Sequence, residues 1–254
     1  MKQLFWKWFI AVDRRLKFPS LKAGETGVQI GFDMSAPVTS DLFLMVENVG
    51  PAGNVIGIDP DPRNIAAAHL IVARQRYPVT LIHRAVFNHE GKMGLLLGEK
   101  ASWNQLTNVP IDDTVSFNGE EVVVEMDTLD NIFHQFNIDT NTIGHINITI
   151  NGAEYFALLG MHQILQKKDL ALTVVAGRYD DSGMIDGEPD HEKIMALLKS
   201  YGFKVTFRRI HQMFWWGFVI NTLMKRRWIY GKDNYGIVMA AKGSKRIPWF
   251  QSFS

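Results

Sequence analysis

The chain has 254 residues, 46% of them hydrophobic and 21% charged, with a formal net charge of +1. That is the composition of an ordinary globular protein, and one large α/β domain is the expectation. Cysteine is absent, which excludes disulfides and thiolate chemistry and fits a reducing cytoplasm.

Residues 1–20 predict an amphipathic helix. Phe5, Phe9, Val12 and Leu16 share one face, with Trp6, Trp8 and Ile10 beside it. Segment 1–22 carries six Lys/Arg and one acid, Asp13. Such a helix either packs on the sheet or a partner chain, or lies on a membrane surface, where Trp and basic residues favour the interface. Lys7 interrupts its apolar run and no small-residue cleavage site follows, so a signal peptide is not expected.

Gly27 to Asn64 reads as strand, glycine turn, helix, strand and terminal carboxylate. Val28 and Ile30 supply the first strand and Gly31 ends it. Ser35 is the expected helix N-cap, with Pro37 in the first turn and Val38, Leu42, Met45, Val46 and Val49 at helical spacing. Gly50 and Pro51 stop that helix. Val55, Ile56 and Ile58 form the second strand, Asp59 follows it, and Asp61 caps a second helix with Pro62 in its first turn. The right-handed crossover of this βαβ unit sets Gly31 beside Asp59 at the carboxyl edge of a parallel sheet. There Gly31 lets a ligand approach the backbone, and Asp59 offers two acceptors to a ribose diol. The next glycine is Gly50, so the pyrophosphate-cradling G-x-G-x-x-G is missing. A nucleoside without phosphates, such as S-adenosylmethionine, fits better than NAD or FAD.

The second helix runs from Asn64 to Arg76, and Val79 to Val86 is the third strand. Asn88 to Gly91 is a turn, from which Met93 to Leu97 pairs back as a hairpin strand. Residues 98–121 are irregular and polar, a length that suits a substrate cover. Val122 to Met126 is a short strand, and Asp127 or Thr128 caps the helix of Leu129 to Phe136. Then come a strand from Ile143 to Ile150, the turn Asn151-Gly152, a helix from Ala153 to Leu165 and a strand from Leu170 to Val175. A polar loop, 177–189, leads to the helix His191 to Ser200. Phe203 to Phe207 and Tyr235 to Ala241 are strands expected to pair as a long hairpin around a basic, aromatic insertion at 208–231. Residues 204–232 carry seven Lys/Arg and no acid, so an acidic middle lies between two basic ends. No apolar run is long enough to span a bilayer.

The order of elements and several local stretches resemble the FkbM family of S-adenosylmethionine-dependent methyltransferases. The stretches are VQIGFD (28–33), VIGIDPDPRN (55–64), HRAVFNHEGKMGL (83–95), VEMDTLDNIF (124–133) and INITINGAEYFALLGM (146–161). The resemblance implies a Rossmann-like seven-stranded methyltransferase sheet, mostly parallel with an antiparallel last strand. It places Gly31 near the methionine part of the cofactor, Asp59 on the ribose, and Arg84, Ala85 and Val86 near the adenine. Asp33, Pro60, Asn64 and Thr149 complete the cofactor residues it implies. Against the family pattern, Gln29 replaces an Asp, Phe32 an Ala, Asp33 an Asn and Ser35 a Gly. In its fourth motif, Lys-Ile-Asp-Val-Glu-Gly becomes Asn147-Ile148-Thr149-Ile150-Asn151-Gly152. Several acids are thereby neutral.

Methyl transfer to a hydroxyl needs positioning and a base. Asp180, Asp181 and His191, near the expected carboxyl edge, are the candidate bases, while His145 at a strand start reads as structural. No histidine pair has metal-ligand spacing, so no metal site is expected. The expectation is one methyltransferase-like domain, 23–254, behind an N-terminal helix, 1–22. It would O-methylate a sugar, glycolipid or small-metabolite hydroxyl. It would be cytoplasmic, with a membrane-facing or homodimer surface formed by 1–18 and 209–230. Nucleic acid is not the expected partner. Two alternatives stay open: a non-catalytic binding module on the same fold, and a sugar-nucleotide glycosyltransferase using the D-x-D spacing of Asp59-Pro60-Asp61.

Overall fold

The computed structural model describes residues 17–35, 37, 40–99, 104–107, 117–177, 184–209 and 235–248. Residues 1–16 of the helix predicted over 1–20, and residues 210–231 of the basic insertion expected at 208–231, lie outside these residues; Lys17 to Ser20 form bends and turns rather than the predicted helix.

The chain runs through β1 (Thr26–Ile30), α1 (Asp41–Val49), β2 (Asn54–Asp59), α2 (Pro62–Gln75), β3 (Val79–His83), β4 (Ala85–Val86), β5 (Gly91–Gly98), β6 (Gln105–Leu106) and β7 (Phe117–Asp127). It continues through α3 (Leu129–Gln135), β8 (Ile143–Ile148), α4 (Glu154–Leu159), β9 (Leu170–Ala176), a short β10–β11 hairpin (Met184–Ile185, Glu188–Pro189), α5 (Asp190–Ser200), β12 (Lys204–Arg209) and β13 (Gly236–Lys242).

Seven strands form the main sheet in the order β12-β13-β9-β8-β1-β2-β3. β9, β8, β1, β2 and β3 are mutually parallel, and β13 lies antiparallel to both its neighbours. The predicted hairpin pairing of the last two strands is present, with β13 inserted beside β9. Strand alternation divides the two faces. Val28, Ile30, Ile146, Ile148, Leu172 and Val174 meet Leu129, Leu158 and Leu198 of α3, α4 and α5 in one core. Phe18, Leu42, Met45, Val55 and Ala68 build the second, under α1 and α2. The strand order reverses between β1 and β8, so the carboxyl ends of β1, β2 and β8 open a crevice there.

Four expectations need correction. The first helix begins at Asp41 with Ser40 in the N-cap position, because Ser35 is engaged elsewhere: its N–H and hydroxyl both bond the Asp33 carboxylate at 2.7 Å. The strand expected from Val79 to Val86 is two strands. β4 leaves the main sheet and pairs with β7, making a second sheet in the order β4-β7-β5-β6. β7 itself starts at Phe117, inside the stretch read as irregular. The helix expected from Ala153 to Leu165 stops at Leu159, because Gly160 passes the Phe87 carbonyl where a Cβ would come within 2.1 Å. Asp61 and Thr128 cap α2 and α3 through bonds to the N–H groups of Arg63 and Asn131.

At the amino edge the ends of the domain are tied together. Lys245 Nζ, with its side chain 3% exposed, reaches the two Glu25 oxygens at 2.7 and 2.6 Å and the Ser20 carbonyl at 3.0 Å. Removing Glu25 strands a buried ammonium. Glu25→Ala is expected to lower unfolding stability by about 2–3 kcal/mol, and Glu25→Ala with Lys245→Met to recover most of it, in urea titrations. A double variant no more stable than the single one would contradict this.

Candidate functional site

Gly31 ends β1 with φ +74, and a Cβ there would lie 2.2 Å from the Thr149 carbonyl oxygen. Its peptide joins three strands. The N–H donates to Ile58 O at 2.8 Å; the carbonyl accepts from Thr149 Oγ1 at 2.8 Å and from Gln29 Nε2.

Behind this turn lies a buried relay of neutral side chains that also reaches the Asp41 carboxylate. Gln29 and Asn147 are cross-strand neighbours, and Asn147 Nδ2 donates to Gln29 Oε1 at 2.8 Å and to Asp41 Oδ2 at 3.0 Å. Thr173 Oγ1 donates to Asn147 Oδ1, and His145 Nε2 lies 3.0 Å from Thr173 Oγ1. Thr173 has one hydroxyl proton, so His145 must donate from Nε2 and accept at Nδ1 from Ser20, 2.7 Å away. Burial, helped by the Lys245 charge, pushes the imidazole pKa down to about 3, which keeps it neutral. His145 is a hydrogen-bonding member of the core.

Asp59, at the end of β2, is 4% exposed. Its Oδ2 accepts from Phe32 N–H at 2.8 Å; its Oδ1 accepts from Asp61 N–H at 2.8 Å and from Asn64 Nδ2 at 3.4 Å. One carboxylate therefore holds both the β1 turn and the β2 turn. A carboxylate has about four acceptor directions, so about one remains, on Oδ2, rather than the two expected for a ribose diol. Burial raises its pKa to about 7 against the lowering effect of the Phe32 and Asp61 N–H groups. Asp61 moves the other way: burial raises its pKa, but the hydrogen bonds from Arg63 and Asn104 and the Arg63 charge together outweigh that and leave it below its usual value. The two carboxylates of the D-x-D pair are thus bound to different protein groups.

Above these turns is a cleft of about 750 Å³, open to solvent. The main sheet lines it with Ile30 to Asp33, Ile58 to Pro60 and Thr149 to Asn151; the second sheet lines it with Ala85, Val86, Leu95 and Leu106. Of the predicted cofactor residues, Gly31, Asp33, Asp59, Pro60, Arg84, Ala85 and Thr149 all line this cleft. Asn64 stands behind it, accepting from Met34 N–H at 3.2 Å and donating to Asp59. The Phe32 ring turns into the core under α1, and Gly57 leaves it room: a Cβ there would lie 3.2 Å from the ring.

The predicted bases fare differently. Asp180 and Asp181 lie outside the described residues. His191 is not in the cleft lining. Its ring stacks on Phe207 at 4.2 Å, and its buried Nδ1 lies 3.8 Å from Asp190 Oδ1. Asp190 in turn accepts from Gly177 N–H at 2.9 and 2.7 Å, at the end of β9.

Sequence reasoning missed Asn104, Leu95 and Leu106. Asn104 sits in a stretch without periodicity, and nothing in the sequence marks it. Arg63, beyond its place near a helix start, was missed as well; it bonds both Asp61 and Asn104.

This sheet order, with a cleft at the reversal point and an acid ending the second strand, defines the class of Rossmann-like methyltransferases. The sequence matches the Methyltransferase FkbM domain over residues 26–205, and the chain belongs to that family. The family's cofactor is S-adenosylmethionine. The fold is similar to that of an FkbM methyltransferase from Methylobacillus flagellatus KT, with TM-score 0.51 and 14% identity over 85% of this chain. The chain spans 43% of that protein's length. It is also similar in fold to a candidate rRNA-methylase from Clostridium thermocellum, with TM-score 0.50 and 13% identity, covering 94% of this chain and 97% of that one. No curated protein matches the sequence. Among the described residues, no helix is long and apolar enough to cross a membrane.

Thr149 gives its hydroxyl proton to the Gly31 carbonyl, a bond that a carboxylate cannot make. Thr149→Asp is expected to lower the thermal midpoint by about 5 °C, and Thr149→Ser to leave it nearly unchanged. Equal midpoints for the two variants would show that this bond does not hold the turn.

Proposed function

We propose that the chain is an S-adenosylmethionine-dependent methyltransferase acting on a hydroxyl of a sugar, glycolipid or other small metabolite. The observation that carries this reading is the convergence of Gly31, Asp33, Asp59, Pro60, Arg84, Ala85 and Thr149 on one cleft at the reversal of strand order. The residues fit the cofactor's chemistry. Gly31 faces the cleft with backbone alone, Asp59 Oδ2 keeps an acceptor for one ribose hydroxyl, and Ala85, Val86, Leu95 and Leu106 offer an apolar wall to a purine.

When bound, the cofactor supplies an electrophilic methyl on sulfonium sulfur. The protein's part is to align the acceptor oxygen with it and to receive the hydroxyl proton. For that proton we retain Asp180, Asp181 and His191 as candidates. Asp190 fixes Gly177 at the end of β9, and Asp190 is the neighbour of His191. A second reading, a binding module without turnover, is favoured by Thr149 and Asn151, which stand neutral where the family carries acids. Transfer of labelled methyl to hydroxyl acceptors separates the two, since the binding module retains affinity and gives none.

We further propose that the basic aromatic stretches 1–18 and 209–230 face a membrane or a partner chain on the same side. Support comes from the residues that flank them. Arg209 pairs with Gly236, and Gly236 with Ala176 at the carboxyl end of β9. Lys17 reaches Asp41 at the first turn of α1, on that same edge. Flotation with anionic vesicles is expected at low salt and not at high salt; no flotation at low salt would favour a partner chain.

Ribose binding to Asp59 requires its ionised form, because the hydroxyl donates. With a pKa raised to about 7, Asp59 is increasingly protonated below neutrality. Affinity for S-adenosylhomocysteine is therefore expected to rise from pH 6 to pH 8. Asp59→Asn should weaken binding at pH 8 by about tenfold or more and flatten the pH profile. Calorimetry across this range checks both, and a flat wild-type profile would remove Asp59 from ribose recognition.

A further inference from the structure

Two walls of the cleft come from different sheets, and one side chain ties them. Asn104 stands just before β6, six residues after the end of β5. Its Oδ1 accepts from Gly98 N–H at 2.9 Å and from Arg63 Nη2 at 3.1 Å. Its Nδ2 donates to Asp61 Oδ2, and its own carbonyl accepts from Asn151 Nδ2 at 2.8 Å. These four bonds reach the last residue of β5, the start of α2 and the turn after β8. Leu106, two residues on, pairs β6 to β5 and lines the cleft beside Leu95.

We propose that Asn104 is a positioning residue which sets the width of the cofactor cleft. It clamps the Leu95–Leu106 wall to the carboxyl edge of the main sheet, at the spacing that encloses the adenosyl group. The role rests on the cofactor reading given above. Asparagine suits it because one amide must accept from Gly98 and Arg63 while donating to Asp61. Aspartate can accept from the first two but sets a second carboxylate against Asp61. Asn104 also lines the cleft, and the role assigned to it acts through Leu95 and Leu106.

The test uses the full chain with Asn104→Ala, Asn104→Asp and the double variant Asp61→Asn with Asn104→Asp. The double variant restores a donor facing an acceptor, keeps a carboxylate for Arg63, and keeps an effective α2 cap, since Asn caps as well as Asp. Two readouts are taken: amide hydrogen exchange of residues 94–98 and 105–107 without ligand, and calorimetric affinity for S-adenosylhomocysteine. Both single variants should exchange faster than wild type in these two segments and bind at least tenfold more weakly, while β1, β2 and β8 amides stay as protected as before. The double variant should return to within about threefold of wild-type affinity. Unchanged exchange in both single variants overturns the clamp, and so does affinity within twofold of wild type. So does failure of the double variant to recover while its main-sheet amides remain protected. If wild type itself binds no S-adenosylhomocysteine, the cofactor reading fails, and the exchange data alone decide whether Asn104 is a clamp.

Discussion

The Gly31 peptide holds β2, β1 and β8 together where the strand order reverses, with its N–H on Ile58 and its carbonyl between Gln29 and Thr149. The left-handed backbone at Gly31 bends the chain sharply off the strand, and the missing Cβ lets the Thr149 backbone close in. Everything the cleft needs follows from that bend. It brings Phe32 N–H onto the Asp59 carboxylate, which in turn captures Asp61 N–H and orients the start of α2. A ligand at this edge meets a surface already held by hydrogen bonds, so little ordering remains to oppose binding.

The departures from the family motifs form a consistent set when seen in three dimensions. Where the family has an acid at position 29 and a lysine at 147, this chain has two amides, and those amides bond to each other across neighbouring strands. The amide pair is satisfied without charge, and Asn147 also donates to Asp41 Oδ2. Thr149 extends the pattern. Gln29 Nε2 and Thr149 Oγ1 both donate to the Gly31 carbonyl, and an aspartate at either position could not do so. Relaxed selection would scatter unmatched polar groups through the core. Here the relay from Ser20 to Gly31 has a donor facing an acceptor at each step.

How much of this was legible depended on whether a signal was local. The βαβ unit was readable because apolar periodicity, Gly31 and the Asp61 cap lie within a few residues of the structure they specify. Ser35 misled because the Asp33 carboxylate captures it in a tight turn, while Ser40 takes the N-cap position; residue type alone does not distinguish the two serines. The break at Arg84 was invisible because strand-forming residues lie on both sides of it and no Gly or Pro marks it. The chain changes sheets there for tertiary reasons, with β4 pairing to β7 some forty residues later. The early end of α4 likewise depends on Phe87, far away in sequence. Asn104 gave no signal, since its four partners come from three separate parts of the chain.

The two sheets divide the work of the cleft by chemistry. The main sheet ends in turns, so it contributes backbone amides and the polar side chains of Asp33, Asp59 and Thr149. The second sheet meets the cleft side-on, so it contributes alternating apolar residues, Leu95 and Leu106, backed by Met93, Val124 and Met126. A nucleoside has the same polarity, with hydroxyls at one end and an aromatic base at the other. Asp59 ends β2 at this cleft; three of its bonds hold protein backbone and side chain, and one acceptor direction is left over, on Oδ2. If a ribose hydroxyl takes that direction, as proposed, ligand recognition and turn geometry meet on a single group. A proton on Asp59 would then occupy the free direction and leave the three protein bonds in place, so protonation would act on the ligand and not on the turns.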